Sequence, residues 1–578
     1  MAEIADSSST LVVDVGTFST RASLLERVEG EYRLAGAARV PSTIDPPVSD
    51  VMLGVSRALT ELERTTGWHA RHDVVNRLAV TSVGLTAVTS VLSFGNSRTL
   101  NALLESLQSL PITPIDIFDL NNRPADAYQF VFQRLIESPL DALIVLGSET
   151  DRDWETEIAR IGEIIRSVLT SHRSAWNLNV VFIGAAAHAQ SLRTFLGERA
   201  SIHHMNLEPD QAIGDALSSL ESLIQSIANE RRQYLLPNHS GLSEWAGSSP
   251  IDYQEALGHV TQQLAQRYSI HVLSLDLGAS HAAAIASLPN GDLRKASLDG
   301  FGTLRSPQNV LMEAGREAVE RWLPYDLDET RLDDYLLHGL AHPGALPTTI
   351  ENLVLEHAFA REALRSVVEL IDDQTVDGQT LAPCAAADVI IGCGATLGAA
   401  PRLIQAVMMM LDSVLPTGFT QLALDRASAL PVLLLDKAIE EGNPFIEQDV
   451  LLSLGVSIAP TGRMAENRPA LRLRTGMPAR SPEETIVNFG AMEVIPWEGG
   501  AGSTLEVWPA TRLNLGVGRG RGAEPRANLF GGSLGLIVDA RGRPIDLDLN
   551  KDKRQARILE WMQTTGAYPT LSFSGRSS

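Results

Sequence analysis

Short apolar runs that end in turn residues and give way to helical spacing recur along the chain, the pattern of buried strands alternating with helices. Residues 11–15, 142–146, 180–184, 272–277 and 389–392 read as buried strands, and 155–169 and 256–267 as helices with apolar positions three and four apart. The alternation predicts an α/β protein and excludes a helical bundle. Residues 235–250, LLPNHSGLSEWAGSSP, are dense in Pro, Gly, Ser and Asn and predict a connection between two halves. After about Pro460 the helical spacing stops. Gly, Arg, Pro and short β-branched runs such as 504–507 and 534–538 predict a small β module. Residues 552–564 are amphipathic and predict a terminal helix, with 572–578 as a frayed tail. The expected division is 1–250 with an α/β insertion at about 74–235, then 251–460, a β-rich 461–550, and a helix and tail over 551–578.

Composition narrows the class. A chain of 578 residues with 44% hydrophobic content is too long for one ordinary core and predicts two or three units. The net charge of -23 removes the concentrated basic face that nucleic acid or an anionic membrane would need. The two cysteines, Cys384 and Cys393, lack paired metal-ligand spacing and read as buried thiols of a reducing compartment. The start, MAEIADSSST, has acidic residues and no apolar centre, so export is not expected and a cytoplasmic location is. The apolar runs 78–94 and 389–415 are broken by polar residues, the second by Pro401 and Arg402, and fall short of the ~20 apolar residues a spanning helix needs.

Three motifs carry chemistry. In LVVDVGTFSTR, residues 11–21, an apolar run leads to Asp14, then Gly16 and the hydroxyl-bearing Thr17, Ser19 and Thr20. In VLSLDLGASH, residues 272–281, the plan returns with Asp276, Gly278, Ala279 and Ser280. A strand that ends in Asp with Gly two residues later allows a tight hairpin to bring backbone N–H groups against a phosphate, since Gly has no Cβ in the way. The Asp can hold the waters of Mg²⁺, an ion that takes few carboxylates. Two copies, each opening an α/β unit, are what a duplicated fold gripping one triphosphate from both sides requires. The third motif, VIIGCGATLGAAP at 389–401, delivers a buried strand into Gly392, Gly394, Ala395 and Gly398, with a helix expected near Pro401. Glycines there would let the backbone lie flat against adenosine.

In that order the motifs match the two phosphate segments and the adenosine segment of the superfamily of sugar kinases, heat-shock ATPases and actin. More closely, the sequence resembles the glutamate mutase accessory (MutL) family. The resemblance rests on LVVDVGTFSTRASLLE, residues 50–62, RWLPYDL with the stretch to Arg365, residues 389–431, and GSLGLIVDARGRP at 532–544. It implies a duplicated ribonuclease-H-like (actin-like ATPase) fold and an ATP- and Mg²⁺-binding, chaperone-like factor that reactivates a cobalamin-dependent mutase. By motif match, Asp14, Gly16, Thr17 and Ser19 would form the first phosphate loop, and Asp276, Gly278, Ala279 and Ser280 the second. Mg²⁺ would lie at Asp14 and Asp276, and Gly392, Gly394 and Ala395 would line the adenosine side. The chain departs from the family over 74–150, where VTSVGLTAVTS and GSETDRDW replace small-residue and glycine-rich segments. Residues 79–91 contain no Glu, Gln or Asp to orient an attacking water, so slow hydrolysis or none is expected unless Glu149 or Asp151 reaches the cleft.

Other signals are weaker. Gly516, Gly518, Gly520 and Gly522 have no βαβ setting and read as a loop, with Arg519, Arg521 and Arg526 a candidate face for an acidic partner. His69 with His72, and His203 with His204, lack the accompanying ligands of a zinc site. Met408, Met409 and Met410 read as core. No GxxxxGK[ST], GxSxG or HExxH occurs. Two further roles stay open: a degenerate scaffold that keeps the fold without hydrolysis, and a small-molecule kinase, for which no carboxylate base stands out. The fold also allows homo-oligomers or filaments.

Overall fold

The computed structural model describes residues 9–569 apart from 29–30, 69–73, 85–86, 96, 108–109, 111, 121–126, 138–139, 148–153, 172–177, 198–199, 207–213, 343–344, 377–378, 381, 436–449, 477–481, 501–502 and 525–528. Glu149, Asp151, His69, His72, Arg526 and the tail 572–578 therefore lie outside the described residues.

The chain opens with β1 (Ser9–Val15), buried at every position, followed by β2 (Ser19–Val28) and β3 (Glu31–Pro41). Both turns are antiparallel hairpins, and the first sets Asp14 opposite Arg21. The helix Val51–Thr66 starts where the Asp50 side chain accepts from the Met52 amide and stops at Gly67, whose φ of 71° a side chain would resist. Strand β4 (Val74–Thr81) then joins β1 in parallel.

Residues Val83–Pro237 form a separate compact unit. Within it β5 (Ala87–Ser93), β6 (Ile112–Asp119), β7 (Ala142–Leu146), β8 (Asn179–Gly184) and β9 (Ser201–Asn206) make a wholly parallel sheet in the order β6-β5-β7-β8-β9. The central strands β5, β7 and β8 are buried throughout, as a parallel sheet covered on both faces requires. The expected insertion at about 74–235 compares with this unit, except that β4 belongs to the first sheet.

Beyond the insertion, β10 (Ile251–Asp252) completes the first sheet, ordered β3-β2-β1-β4-β10. The expected connection at 235–250 contains a helix, His239–Ala246. Asn238, in the left-handed conformation, starts it by accepting from the Gly241 amide. The second half repeats the first: β11 (Val272–Leu277), β12 (His281–Ser287), β13 (Leu293–Asp299), β14 (Val389–Cys393) and β15 (Gly418–Leu424) run β13-β12-β11-β14-β15. Strand senses match as well: two antiparallel pairs on one side of the first strand and two parallel pairs on the other. This is the duplicated ribonuclease-H-like fold of actin-like ATPases. The helix Tyr253–Tyr268 lies in a core that contains Val12 and Val80 from the first sheet and Val272 and Ile391 from the second, so the two first strands are held together.

The second sheet continues with β16 (Leu452–Ala459), β21 (Leu536–Asp539) and β19 (Met492–Ile495), while β17 (Pro469–Gly476), β18 (Glu483–Asn488) and β20 (Thr504–Pro509) form a sheet of their own. The last helix is Lys551–Thr564, capped by Asn550, with Trp561 Nε1 donating to the Gly490 carbonyl at 2.7 Å. Both cysteines are free and buried, and the three methionines are core. No helix among the described residues is long and apolar enough to cross a membrane.

Candidate functional site

Each half begins with the same hairpin. Gly16 N–H donates to the Ser19 carbonyl at 3.1 Å, closing the loop between β1 and β2; Gly278 N–H donates to the His281 carbonyl at 2.9 Å, closing that between β11 and β12. The loops meet: Thr17 Oγ1 and Ser280 Oγ are 3.0 Å apart. A cavity of about 30 Å³ lies between them, lined by Asp14, Gly16, Thr17, Ser19, Asp276, Gly278 and Ala279 from the predicted loops, and by Gly394 and Ala395 from the third motif. That volume holds about one or two water molecules. Gly394 has φ of 89°, and a Cβ there would stand 2.4 Å from the Leu277 carbonyl oxygen and 2.6 Å from Asp276 Oδ1, so only glycine lets this strand end pass over the second aspartate.

One expectation needs correction. Gly392 does not reach the cavity; a Cβ on it would point at Met410 Sδ and Leu424, because strand alternation turns it into the core. The helix expected near Pro401 is Leu403–Val414, whose cap, Arg402, directly follows the proline, so that Pro401 lies just outside its first turn; a short helix, Gly394–Gly398, precedes it.

The sequence reading missed the cations. Arg21 Nη1 lies 3.7 Å from Asp14 Oδ2 and donates to Ser428 Oγ, while His281 Nε2 is 2.8 Å from Asp276 Oδ2. Both residues stood inside the quoted motifs, Arg21 on the same strand face as Ser19. Ser428 belongs to a loop folded around buried Asp425, which accepts from the amides of Ala427, Ala429 and Leu430 at 3.0–3.2 Å. Arg305 crosses the front of the site. Its amide donates to the Ala279 carbonyl at 2.9 Å, its guanidinium to the Thr17 carbonyl at 2.9 Å, and it pairs with Asp45.

Burial dominates the electrostatics. It lifts the Asp14 carboxyl to about 6, against the pull of Arg21, with Asp276 and Asp425 adding to the rise. For His281 burial works against the charged ring, but the Asp276 carboxylate outweighs it and the net shift is upward. Two buried polar atoms at the cavity, Asp14 Oδ1 and His281 Nδ1, have no hydrogen-bond partner. The first is an acceptor suited to a metal ion or its water; the second, on a charged ring, is a donor suited to a phosphate oxygen. The donor set thus fits a phosphate group with Mg²⁺, whereas the volume admits a triphosphate only if the loops part.

The other sequence signals lie elsewhere. His203 Nε2 is 3.0 Å from Asn179 Oδ1 and His204 Nε2 is 2.8 Å from the Gly184 carbonyl, so alternation sends them to different partners. No metal-holding group of His, Cys, Asp and Glu occurs among the described residues. Among the described residues no helix follows the loop of Gly516 to Gly522 until Lys551, as expected of a turn.

A family model described as MutL protein matches residues 10–435, which include both hairpins and the third motif. The chain belongs to the MutL family. No curated protein matches the sequence. Solved structures similar to this MutL-family chain include acetone carboxylase, with 11% identity over 83% of this chain and 81% of that one and a TM-score of 0.31. A glycerol dehydratase reactivase gives 10% identity over 74% and 100% with a TM-score of 0.29. The xylulose kinase of Bifidobacterium adolescentis gives 16% over 78% and 96% with a TM-score of 0.27. At these scores no residue role passes from those proteins to this one. The segment after residue 435, with β16 to β21, lies outside the family match.

Proposed function

We propose that this MutL-family chain is a nucleotide-switched accessory factor, in which ATP with Mg²⁺ binds between the two hairpins and the change in cleft closure is felt by a partner enzyme. The observation that carries the reading is the convergence of Asp14–Gly16 and Asp276–Gly278 on one cavity from the two halves of a duplicated fold. When bound, Mg²⁺ supplies positive charge to the phosphates. The chain's own part is to offer Asp14 Oδ1 toward the metal, the Gly16 and Gly278 hairpins toward the phosphates, and the His281 ring as a donor. Gly394 and Ala395, which line the same cavity beside the second hairpin, are the proposed nucleoside side. Since Thr17 meets Ser280 and Arg305 spans both loops, nucleotide must favour a more open arrangement, and only that difference in affinity can move the equilibrium. We infer a cobalamin-dependent mutase as the partner class, a reading supported by membership of the MutL family.

Calorimetry with Mg-ATP tests the site. Binding by the wild-type chain is expected to fall at least tenfold in Asp14→Ala and Asp276→Ala; unchanged affinity in both would defeat the assignment. One observation favours a second reading, a scaffold that binds nucleotide without hydrolysing it: both aspartates already hold a protein cation, Arg21 and His281. Steady-state phosphate release at the buffer background, with binding intact, would select it.

A further inference from the structure

A second concavity, of about 840 Å³, opens in the second half between the helix Glu329–Ala341 and the start of the helix Ile350–Asp372. Its volume lies within the roughly 300–1,000 Å³ typical of small-molecule sites. Glu356 reaches it from the second of these helices, only 6% exposed, with no partner for Oε2. Burial lifts this carboxyl to about 8. A buried acid without a partner is costly, so a group that belongs beside it is one that would satisfy it.

The surroundings decide the sign of that group. The facing helix and its cap bring Asp328, Arg331, Asp334 and His338, and Glu351 comes from the same helix as Glu356. The Asp328 side chain is engaged by the Arg331 amide at 2.7 Å, and the Arg331 guanidinium lies over the Tyr325 ring, 5.5 Å from its centre. Asp334, Glu351 and Glu356 remain, an excess of carboxyl groups. Tyr335 and Tyr568 also feel the Glu356 charge, and Tyr568 is tied to His357, which burial keeps neutral with a value near 3. Tyr335, stacked on Phe359 with ring centres 5.5 Å apart, and exposed Leu346 supply apolar wall.

We propose that this cavity binds a small ligand carrying one ammonium group, which pairs with Glu356 while its carbon chain lies against Tyr335 and Leu346. The site is independent of the nucleotide proposal, although they share a wall. Thr303 and Leu304 line the cavity, the Leu304 amide donates to the Ala279 carbonyl of the second hairpin, and Thr303 bonds Thr396 at 2.8 Å.

The test is calorimetric titration of the full chain with n-butylamine in amine-free cacodylate and borate buffers between about pH 6 and 9. Butylammonium keeps its charge over this range, so pairing requires Glu356 to ionise. Wild-type affinity is expected to rise about tenfold per pH unit up to about pH 8 and then level. Glu356→Gln, which keeps the shape and removes the buried acid, should lose at least tenfold in affinity at pH 8 together with the slope; His338→Gln should keep the slope. The wild-type profile needs no variant to fold. Absence of heat at about 50 mM amine, a flat or reversed profile, a slope that survives Glu356→Gln or disappears in His338→Gln, or equal affinity for n-butanol would each overturn the proposal.

Discussion

In the first half the aspartate that ends the opening strand, Asp14, faces Arg21 across the hairpin, with Ser428 holding the guanidinium from behind. In the second half Asp276 sits at the same place on β11, but opposite it is Ala283, and the counter-charge comes from His281, at the position that Ser19 occupies in the first copy. Duplication has kept the backbone and the acid and has changed the cation. One charge is permanent, and the other depends on pH. The two cations also fill space differently: Arg21 reaches in from the strand, whereas the His281 ring lies directly beneath the second loop.

That packing difference gives a large expected effect. A Cβ added at Gly278 would stand 2.5 Å from His281 Cε1 and 2.7 Å from Nδ1, and the ring cannot move away without giving up Asp276. At Gly16 the nearest atoms are the Ser19 carbonyl oxygen at 3.2 Å and Ser82 Oγ at 3.4 Å. Gly278→Ala should therefore cost about 2–3 kcal/mol in urea unfolding and Gly16→Ala no more than about 1 kcal/mol. Equal costs would mean that the His281–Asp276 pair yields freely.

Acid and base titration separates the halves next. With its folded value near 6 and its ordinary value of 3.8, Asp14 keeps a proton in the folded chain that the unfolded chain has lost. Its contribution is full below about pH 4 and is lost as pH rises toward 6, roughly two units or about 3 kcal/mol in the nucleotide- and metal-free chain. His281, raised from 6.5, contributes below that value and loses its contribution as pH climbs through the raised one. Because other buried acids such as Glu356 also titrate in this range, each group is read from a difference: the gap in unfolding midpoint between wild type and Asp14→Asn should change between about pH 4 and 6, and that between wild type and His281→Gln above about pH 6.5. Two differences that change over the same pH range would mean that the two halves titrate as one unit.

The same contrast shows what a single chain discloses before it is folded. Both Asp-x-Gly hairpins could be read because local steric rules write them into contiguous residues, and the terminal helix was placed to within a residue at its start for the same reason. Their counter-ions were in plain view but not assignable. Arg21 finds Ser428 across 407 positions, and Thr17 finds Ser280 across 263, so only the packing of two sheets on the helix Tyr253–Tyr268 brings them together. Gly392 misled because Gly within a strand is silent about direction; counting alternation from Ile390, two residues earlier on the same strand face and in the core, would have turned it away from the cleft. At 235–250 the turn-rich composition concealed a short helix bounded by Asn238 as its cap and Gly247 at its end.

The smallest effect concerns the contact that joins the halves. Arg305 binds the second hairpin through its backbone and the first through its side chain, and its partner Asp45 is about half exposed. An ion pair so placed is worth at most about 1 kcal/mol, so Arg305→Ala should barely move the unfolding midpoint. Its effect on ligand binding has the opposite sign. If the closed arrangement competes with nucleotide, removing the clasp raises the fraction of open chain, and apparent ATP affinity should increase by up to about fivefold, the equivalent of that same energy. Weaker ATP binding in Arg305→Ala would instead place the guanidinium on the phosphates, and the asymmetry between a fixed first hairpin and a titratable second one would then have to be explained with three cations rather than two.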